Sequence, residues 1–426
     1  MILRKKLFIF LGDALALAGS FFITIFISFP KDFQHQINLH TEPFILMYIT
    51  WLLVIYIFNL YDNHNIRPTV LTLQKIALAL LVSGLIGIAM FYLFPIFEIT
   101  PKSNLIVNLL SFGILFIGWR RICFNIISGQ LVEKVAILGT REETMEIFKT
   151  LSQKNSVGYK AVSISNSIDE ILAFDSKISK IIIAQNIDTD TLMKITKRGL
   201  QTITLLKAYE EVFEKIPVSL MDDNMTVSIL SKDKNFFYKL TSRITSIAFA
   251  LIILLITLPI TLISGILIKI EDGRKIFYKQ KRVGKDSEHF LIWKLQSMKQ
   301  NAEKNGAVWA EEKDERITKF GKVLRKLHID EIPQMINVLK GDINLVGPRP
   351  ERPEFVEKLE KEIPYYFLRH SITPGFTGWA QIKYRYARTV DDSQDKFEYD
   401  LYYLKNRNIF LDFGIIIKTI QIIFTH

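Results

Sequence analysis

Cysteine is almost missing from this chain: Cys123 is the only one in 426 residues. A single thiol inside an apolar run can build neither a disulfide framework nor a cysteine-based zinc site. Zinc on histidine and carboxylate has no ligand spacing to support it. Also lacking is a small-residue cleavage site after Arg4, Lys5, Lys6 and the apolar run that follows them to Phe29, so this run does not read as a removable signal. A glycine-rich phosphate loop is absent too. The one place where it would be expected, after the β-branched run at 135–138, has Gly139-Thr140 and no further glycines.

What is present points to a mixed membrane and cytosolic protein. Hydrophobic residues make up 49% and the mean hydropathy is +0.21, yet charged residues still reach 23%. The chain is longer than one ordinary core, so two or three folding units are expected. Its net charge of +11 suits nucleic acid, an anionic membrane face or phosphorylated substrates equally well.

Four apolar runs, the first ending at Phe29 and the others at 43–60, 75–97 and 105–127, each approach the roughly 20 residues needed to cross hydrocarbon. They predict four transmembrane helices. Arg4, Lys5, Lys6, Arg67, Lys75, Arg120 and Arg121 fall at ends that would stay cytoplasmic, whereas the translocated loops would carry only Lys31 and Lys102. Next, β-branched runs at 135–138, 160–164, 180–184 and 202–206 alternate with polar helical stretches, which predicts a small parallel sheet with crossover helices. With the glycines missing, and Asp169 as the nearest candidate for a ribose contact, this Rossmann-like segment reads as a packing or subunit-contact domain. Residues 207–239, with Pro217 and Asp222-Asp223, read as a linker.

A fifth apolar run, 244–268, has Pro259 near its middle, where proline removes a hydrogen bond and presses on the preceding turn. The Thr257 hydroxyl is placed to serve a freed backbone group. Arg243 precedes the run, and Lys269, Arg274 and Lys275 follow it, a positive signal on both sides. Hydropathy alone leaves a re-entrant helix and a kinked crossing helix equally open.

Downstream, Asp330-Glu331-Ile332-Pro333-Gln334 opens an apolar helical pattern (Ile332, Met335, Ile336, Leu339) that Gly341 ends. Asp330 is expected as its N-cap, with both carboxylates at a helix N-terminus that also attracts phosphate. An ionised Asp can attack phosphorus, and a neighbouring carboxylate can hold a magnesium ion. An isolated Asp-Glu pair would usually be a capped surface helix. Here Val346-Gly347-Pro348-Arg349-Pro350 follows within about 20 residues, a stiff turn suited to aiming a guanidinium at phosphate. Arg282 and Lys294 upstream add further cations, with Arg316 and Arg325 nearer the carboxylates; for each taken singly, attraction to a membrane surface is the expected role.

Residues from about 239 to 426 resemble the bacterial sugar transferase family, the monotopic polyprenyl-phosphate hexose-1-phosphate transferases. The likeness runs in order through Ile276-Phe277-Tyr278-Lys279-Gln280-Lys281-Arg282-Val283-Gly284, Arg316-Ile317-Thr318-Lys319-Phe320-Gly321, Asp330-Glu331-Ile332-Pro333-Gln334, Asn337-Val338-Leu339-Lys340-Gly341-Asp342 and Val346-Gly347-Pro348-Arg349-Pro350. It continues through Pro374-Gly375-Phe376-Thr377-Gly378-Trp379-Ala380-Gln381. The whole chain is similar to the larger members. Glu351-Arg352-Pro353-Glu354-Phe355-Val356 and Lys383-Tyr384-Arg385-Tyr386 resemble the subgroup encoded beside exosortase-type exopolysaccharide systems.

The resemblance implies a bacterial inner-membrane enzyme with its catalytic domain on the cytosolic face, acting in exopolysaccharide, capsule or O-antigen biosynthesis. Asp330 would attack a UDP-sugar and release UMP, Glu331 would hold Mg2+ (or Mn2+), and polyprenyl phosphate would accept the sugar phosphate. Arg282, Lys294, Arg316, Arg325, Arg349 and Gln381 would bind substrate, and Pro259 would break the re-entrant helix. The fold class implied is an α plus α/β membrane protein. Its parts are a four-helix transmembrane domain at 1–130, a Rossmann-like domain at 131–235, a re-entrant helix at 236–270, and a mainly helical monotopic catalytic domain at 271–426. That last domain would carry amphipathic interfacial helices, for which 409–424 is a candidate.

Partners expected are the two substrates and inner-membrane lipids, with no nucleic acid; the Rossmann-like insert could supply a homodimer contact. Ser246, Leu258, Gln296, Asn344 and Tyr384 depart from the family's commoner residues. A non-catalytic scaffold that senses nucleotide sugars is the rival from another class, opposed by the retained Asp330 and Glu331. A nucleotide-sugar oxidoreductase lacks its glycine-rich loop and Tyr-Lys pair.

Overall fold

The computed structural model describes residues 2–61, 70–93, 102–127, 132–153, 159–174, 178–231, 236–299, 316–384 and 389–424. Arg67, used above to orient the chain, lies outside them, as do Arg385 and Tyr386. The chain divides into two compact units, Met1–Leu205 and Leu206–His426.

The first unit opens with four apolar helices, α1 (Ile2–Ser28), α2 (Phe33–Ile57), α3 (Val70–Leu93) and α4 (Lys102–Ile127). Their inward faces bury Ile9, Leu17, Phe44, Trp51, Phe112 and Phe116, while Leu15, Ile27, Tyr56 and Ile114 point outward. Polar groups lock the helices in register. Arg120 of α4 meets Asp13 of α1 at 2.6 Å and donates to Leu60 O at 2.5 Å. Asn108 donates to Tyr48 Oη at 2.7 Å and Thr24 Oγ1 at 3.1 Å. α2 starts ten residues before the apolar run that marked it and passes through Pro43, because hydropathy registers the apolar stretch and not its polar, helical lead-in. Among the described residues, five helices are long and apolar enough to cross a membrane: Lys6–Ser28, Phe33–Ile57, Thr72–Phe91, Asn104–Ile126 and Phe236–Glu271.

The same unit continues through β1 (Glu133–Leu138), α5 (Glu142–Gln153), β2 (Tyr159–Ser165), α6 (Ile168–Phe174), β3 (Lys180–Ile183), α7 (Thr189–Lys197) and β4 (Gln201–Thr204). The strands form the expected parallel sheet, in the order β2-β1-β3-β4. After β1, Gly139 has φ +112°, and a Cβ there would come within 3.1 Å of the Ala184 carbonyl carbon. The next amide, Thr140 N, already donates to Asn166 Oδ1 at 2.9 Å. The amide that follows the glycine is thus already bonded to a side chain of the chain itself.

In the second unit the stretch read as a linker contains, among its described residues, α8 (Leu205–Phe213), a 3-10 turn at Val218–Leu220 and α9 (Asp223–Ser231). Its polar residues looked linker-like but act as caps and ion pairs. Asp222 Oδ1 accepts from Met225 N at 2.7 Å, and Lys215 bonds Asp395 and Glu398, each at 3.0 Å.

α10 (Phe236–Asp272) is helical throughout, with Pro259 inside it. Proline at 259 frees the carbonyl four residues back, that of Leu255. The Thr257 hydroxyl does not serve that group; it donates to Ile253 O at 2.6 Å. α10 packs into the unit at two stretches: Ala250, Ile253 and Leu254 against Met335, Val338 and Ile343, and Ile268 against Leu295 and Leu324. It leaves Leu251, Leu255, Ile256, Ile266 and Ile270 exposed.

The remaining elements are a hairpin of β5 (Phe277–Val283) and β6 (His289–Leu295) with a 3-10 turn at Lys285–Ser287, then α11 (Lys319–Lys326), a 3-10 turn at Ile329–Glu331, α12 (Gln334–Lys340), β7 (Asn344–Val346), α13 (Pro353–Glu362), a 3-10 turn at Tyr366–Ser371, β8 (Gly375–Thr377), α14 (Trp379–Lys383), α15 (Val390–Asn406) and α16 (Ile409–Phe424). β7 and β8 pair in parallel, so closely that a Cβ on Gly375 would fall 2.0 Å from Gly347 N. α16 buries Leu411, Ile415 and Ile416 and exposes Phe413, Ile417 and Ile420, so apolar residues lie on both of its faces.

Asn337 braces α12 to the hairpin. Its Oδ1 accepts from Trp293 N at 3.0 Å, and its Nδ2 donates to Leu291 O and Asp342 Oδ2, both at 2.8 Å. Replacing Asn337 with Ala strands these buried groups, so it should lower stability by about 1–3 kcal/mol. The check is the thermal midpoint of the detergent-solubilised protein; an unchanged midpoint would show that the brace is dispensable.

Candidate active site

The carboxylates do not cap α12. Pro333 occupies the N-cap position, and Asp330 and Glu331 lie in the 3-10 turn before it, entered through His328 at φ 53°. The reason is local: His328 turns the chain left-handed after α11, and Pro333 has no amide to donate. Helical bonding therefore resumes only with Met335 N to Ile332 O and Ile336 N to Pro333 O, both at 3.0 Å. With seven residues in α12, its dipole is a weaker influence on the pair than the side chains around it.

Glu331 is held from two sides on one oxygen. Lys294 Nζ, from the end of β6, donates to Oε1 at 2.8 Å, and Arg349 Nη2, from the turn after β7, donates to the same atom at 2.6 Å. Burial would raise the Glu331 pKa, but Arg349 and Lys294 outweigh it and hold the carboxyl well below its ordinary 4.5. Burial lowers the Lys294 pKa, opposed by Glu331.

Asp330 is the contrast. It is 5% exposed, and its carboxylate accepts no hydrogen bond among the described residues. Burial and the neighbouring Glu331 raise its pKa, against Lys294, Arg325 and His328. Side by side, then, stand an anchored carboxylate and an unanchored one whose charge is poorly compensated.

Arg325 stands on α11 with Nε donating to Ser297 Oγ at 3.2 Å. Arg282 supports the Arg349 turn, donating to Pro350 O at 3.0 Å and facing Glu351 at 3.6 Å. Lys294, Arg325, Arg349 and Arg282 are thus gathered around the pair or its supporting turn. Arg316 is half-buried beside the bridge between Ile317 and Met298. Gln381 donates to Phe376 O at 3.2 Å and shows no bond to either carboxylate; Pro259 lies outside the cluster in α10.

The sequence did not single out Arg369 and Asp400. Arg369 Nη2 donates to Arg349 O at 3.1 Å and to Asp400 Oδ2 at 2.9 Å, with both partners of the ion pair buried. Lys396 meets Glu351 at 3.1 Å on the same turn. A signal existed: Asp400 has the helical phase of the buried Phe397, Leu401 and Leu404, an odd place for an acid without a partner.

A group of three or more His, Cys, Asp or Glu side chains that could hold a metal is not found among the described residues. Magnesium, however, is ordinarily held by one or two carboxylates together with substrate phosphates. Both cations bind Glu331 through Oε1, which leaves Oε2 as a hard oxygen donor beside Asp330. The donor set fits that mode.

Two outcomes follow for stability. Glu331→Gln leaves Lys294 and Arg349 without their anion and should cost about 3–5 kcal/mol at neutral pH. Because the folded pKa of Glu331 is depressed, its contribution is complete above about 4.5 and is lost as pH falls towards the folded value, so the gap between wild type and variant should close under acid. Chemical unfolding at pH 7 and pH 3 reads this; a gap that does not narrow would refute it. Asp330→Asn has the opposite sign: removing a poorly compensated buried charge should raise the midpoint at neutral pH while abolishing any activity that depends on Asp330.

Residues 237–426 match the family described as Bacterial sugar transferase. Over 216 residues the chain is 42% identical to the UDP-N-acetylgalactosamine-undecaprenyl-phosphate N-acetylgalactosaminephosphotransferase of Aeromonas hydrophila, covering 51% of this chain and 50% of that protein. Over 142 residues it is 47% identical to a putative undecaprenyl-phosphate N-acetylgalactosaminyl 1-phosphate transferase of Bacillus subtilis (strain 168), covering 33% of this chain and 79% of that protein. Identity to the UDP-glucose:undecaprenyl-phosphate glucose-1-phosphate transferase of Escherichia coli (strain K12) is 34% over 184 residues, or 43% and 40% of the two chains. The chain thus spans about half the length, or less, of the longer relatives it matches. Both carboxylates and the cations around them fall inside the matched segment, and the chain belongs to the bacterial sugar transferase family.

Proposed function

We propose that the protein transfers a sugar-1-phosphate from a UDP-sugar to a polyprenyl phosphate, releasing UMP and initiating a bacterial polysaccharide. The observation that carries this is the pairing of an unanchored, buried Asp330 with an anchored Glu331. An oxygen of Asp330 attacks the β-phosphorus of the UDP-sugar; the bond from that phosphorus to the bridging oxygen breaks, and UMP leaves. A polyprenyl phosphate oxygen then attacks the same phosphorus, the bond to Asp330 breaks, and the lipid diphosphosugar departs with the carboxylate restored.

Lys294 and Arg349 fix Glu331 and present cationic charge where phosphate charge must be accommodated, and Arg325 adds to it. Glu331, through Oε2, would hold Mg2+ or Mn2+, which would neutralise phosphate oxygens.

The packing of α10 supports a helix that does not cross the bilayer. Arg243 Nη2, near its start, donates to Leu339 O at 2.7 Å, and Ile268, near its end, packs on Leu295 and Leu324, all within one unit. The 26 residues from Arg243 to Ile268 span roughly 37 Å of helix, more than the ~30 Å hydrocarbon core. A crossing would bring one of those contacts to the far side. The finer reading is therefore four crossing helices at the N-terminus, α10 lying in one leaflet, and the site on the cytosolic face of the inner membrane, where nucleotide sugars are found. The βα segment would serve packing or a homodimer contact.

The test incubates membranes carrying the protein with Mg2+, undecaprenyl phosphate and a panel of UDP-sugars, beginning with N-acetylgalactosamine and glucose, the sugars in the relatives' names. UMP release with one sugar is expected, falling by at least about 10³-fold in Asp330→Asn, on the order of what a lost catalytic nucleophile costs. Full turnover in that variant would rule the route out. Cysteine labelling at 244 and 270 in a Cys123→Ser background should find both positions reachable from the same side; opposite sides would refute the membrane reading alone.

A further inference from the structure

The β5–β6 hairpin has two faces, and the site uses only one. Register sets Lys279 opposite Trp293 and Lys281 opposite Leu291, so Phe277, Lys279 and Lys281 share a face with Leu291 and Trp293, while Arg282 and Lys294 take the other. On the outer face, Phe277 and Leu291 are 43% and 51% exposed, and the Phe277 and Trp293 rings lie 5.9 Å apart. Lys279 Nζ sits 4.0 Å from the Trp293 ring centroid, and Lys340, the last residue of α12, reaches it at 5.4 Å. Among the described residues no carboxylate pairs with Lys279, Lys281 or Lys340. The strands contribute no acidic residue to this face at all.

Two connections tie the face to α10. Phe277 follows Glu271, the end of the apolar span, by six residues, a reach of at most about 20 Å. At the other end, Arg243 of α10 caps the C-terminus of α12 next to Lys340, donating to Leu339 O at 2.7 Å. An aromatic and aliphatic strip ringed by unpaired lysines, tethered to both ends of an apolar helix, matches an anionic lipid surface in charge and in polarity. A soluble polyanion would leave the apolar strip without a use.

We propose that the outer face of the hairpin docks on anionic lipid headgroups, with Phe277, Leu291 and Trp293 entering the headgroup layer and Lys279, Lys281 and Lys340 meeting lipid phosphates. This rests on the reading of α10 as lying in the bilayer without crossing it. Docking here would orient the hairpin whose opposite face carries Lys294, and so hold the site at a fixed height above the lipid substrate.

The test uses the full chain in nanodiscs, in a Cys123→Ser background, with a nitroxide at Leu291→Cys on the hairpin, at Leu255→Cys on the exposed side of α10, or at Glu360→Cys on the exposed side of α13 as a water reference. In discs containing phosphatidylglycerol, the ratio of oxygen to nickel-chelate accessibility at 291 should exceed that at 360 several-fold. Lys279→Glu/Lys281→Glu/Lys340→Glu should collapse that difference and leave 255 unchanged. A label at 291 that matches 360 in these discs, with 255 still buried in lipid, overturns the docking alone. A water-like signal at 255 overturns the α10 reading and the docking together. Protection of 291 by added heparin in phosphatidylcholine discs, with none from phosphatidylglycerol, assigns the face to an acidic soluble partner and overturns it as well.

Discussion

One oxygen atom, Oε1 of Glu331, takes hydrogen bonds from two cations on two separate elements, and the order of the site depends on it. Lys294 comes from a hairpin and Arg349 from the turn after a short parallel strand, so the shared acceptor fixes three pieces of chain at one point. Electrostatically the group is lopsided: two cations face one bonded carboxylate, and the remaining positive charge falls towards Asp330. On the proposed function, an incoming phosphate would meet donors already oriented by a protein anion, with little reorganisation left to do.

The long apolar helix α10 belongs to the same arrangement. Arg243 of α10 satisfies carbonyls at the end of α12, and Ser246 Oγ accepts the amide of Leu345 in β7 at 3.0 Å. α12 follows directly on the turn that carries Asp330 and Glu331, and β7 leads to Arg349. Ser246 is one of the positions where this chain departs from commoner family residues, and a hydroxyl acceptor at that point still satisfies the buried amide. A helix that looks in sequence like a simple anchor thus bonds to the elements that follow the Asp330-Glu331 turn and lead to the Arg349 turn.

Apolar runs and β-branched alternation made the helical first segment and the parallel sheet readable in the sequence, because both are repeating patterns with a fixed period. The carboxylate pair was readable from residue type, whereas Lys294, Arg325 and Arg349 were grouped with it through resemblance, since a lone cation in sequence suits a membrane surface as well. The conformation at Asp330 was not readable, since the proposed cap competed with a left-handed His328 that no periodicity reveals. The segment at 207–239 was misjudged for a related reason: capping and ion-pairing residues such as Asp222 and Lys215 have the composition of a linker, and only long-range partners like Glu398 separate the two cases. Gln381 was grouped with the site through resemblance, and its bond to Phe376 O lies beyond anything spacing could indicate.

The buried charges behind the Arg349 turn follow from the same constraint. A guanidinium that must stay beside Glu331 needs its own backbone held, and the turn is pinned by Arg369 on Arg349 O, Arg282 on Pro350 O and Lys396 on Glu351. Burying so many ions is unfavourable unless each is paired. Asp400 supplies the pairing for Arg369, and Glu351, held at about 2 by Lys396, Arg369 and Arg282 against its burial, remains ionised to pair with the others. Three cations on two carboxylates leave this network with one net positive charge, so the Arg349 turn is held from behind by paired ions and adds to the positive side of the Lys294, Arg349 and Glu331 group.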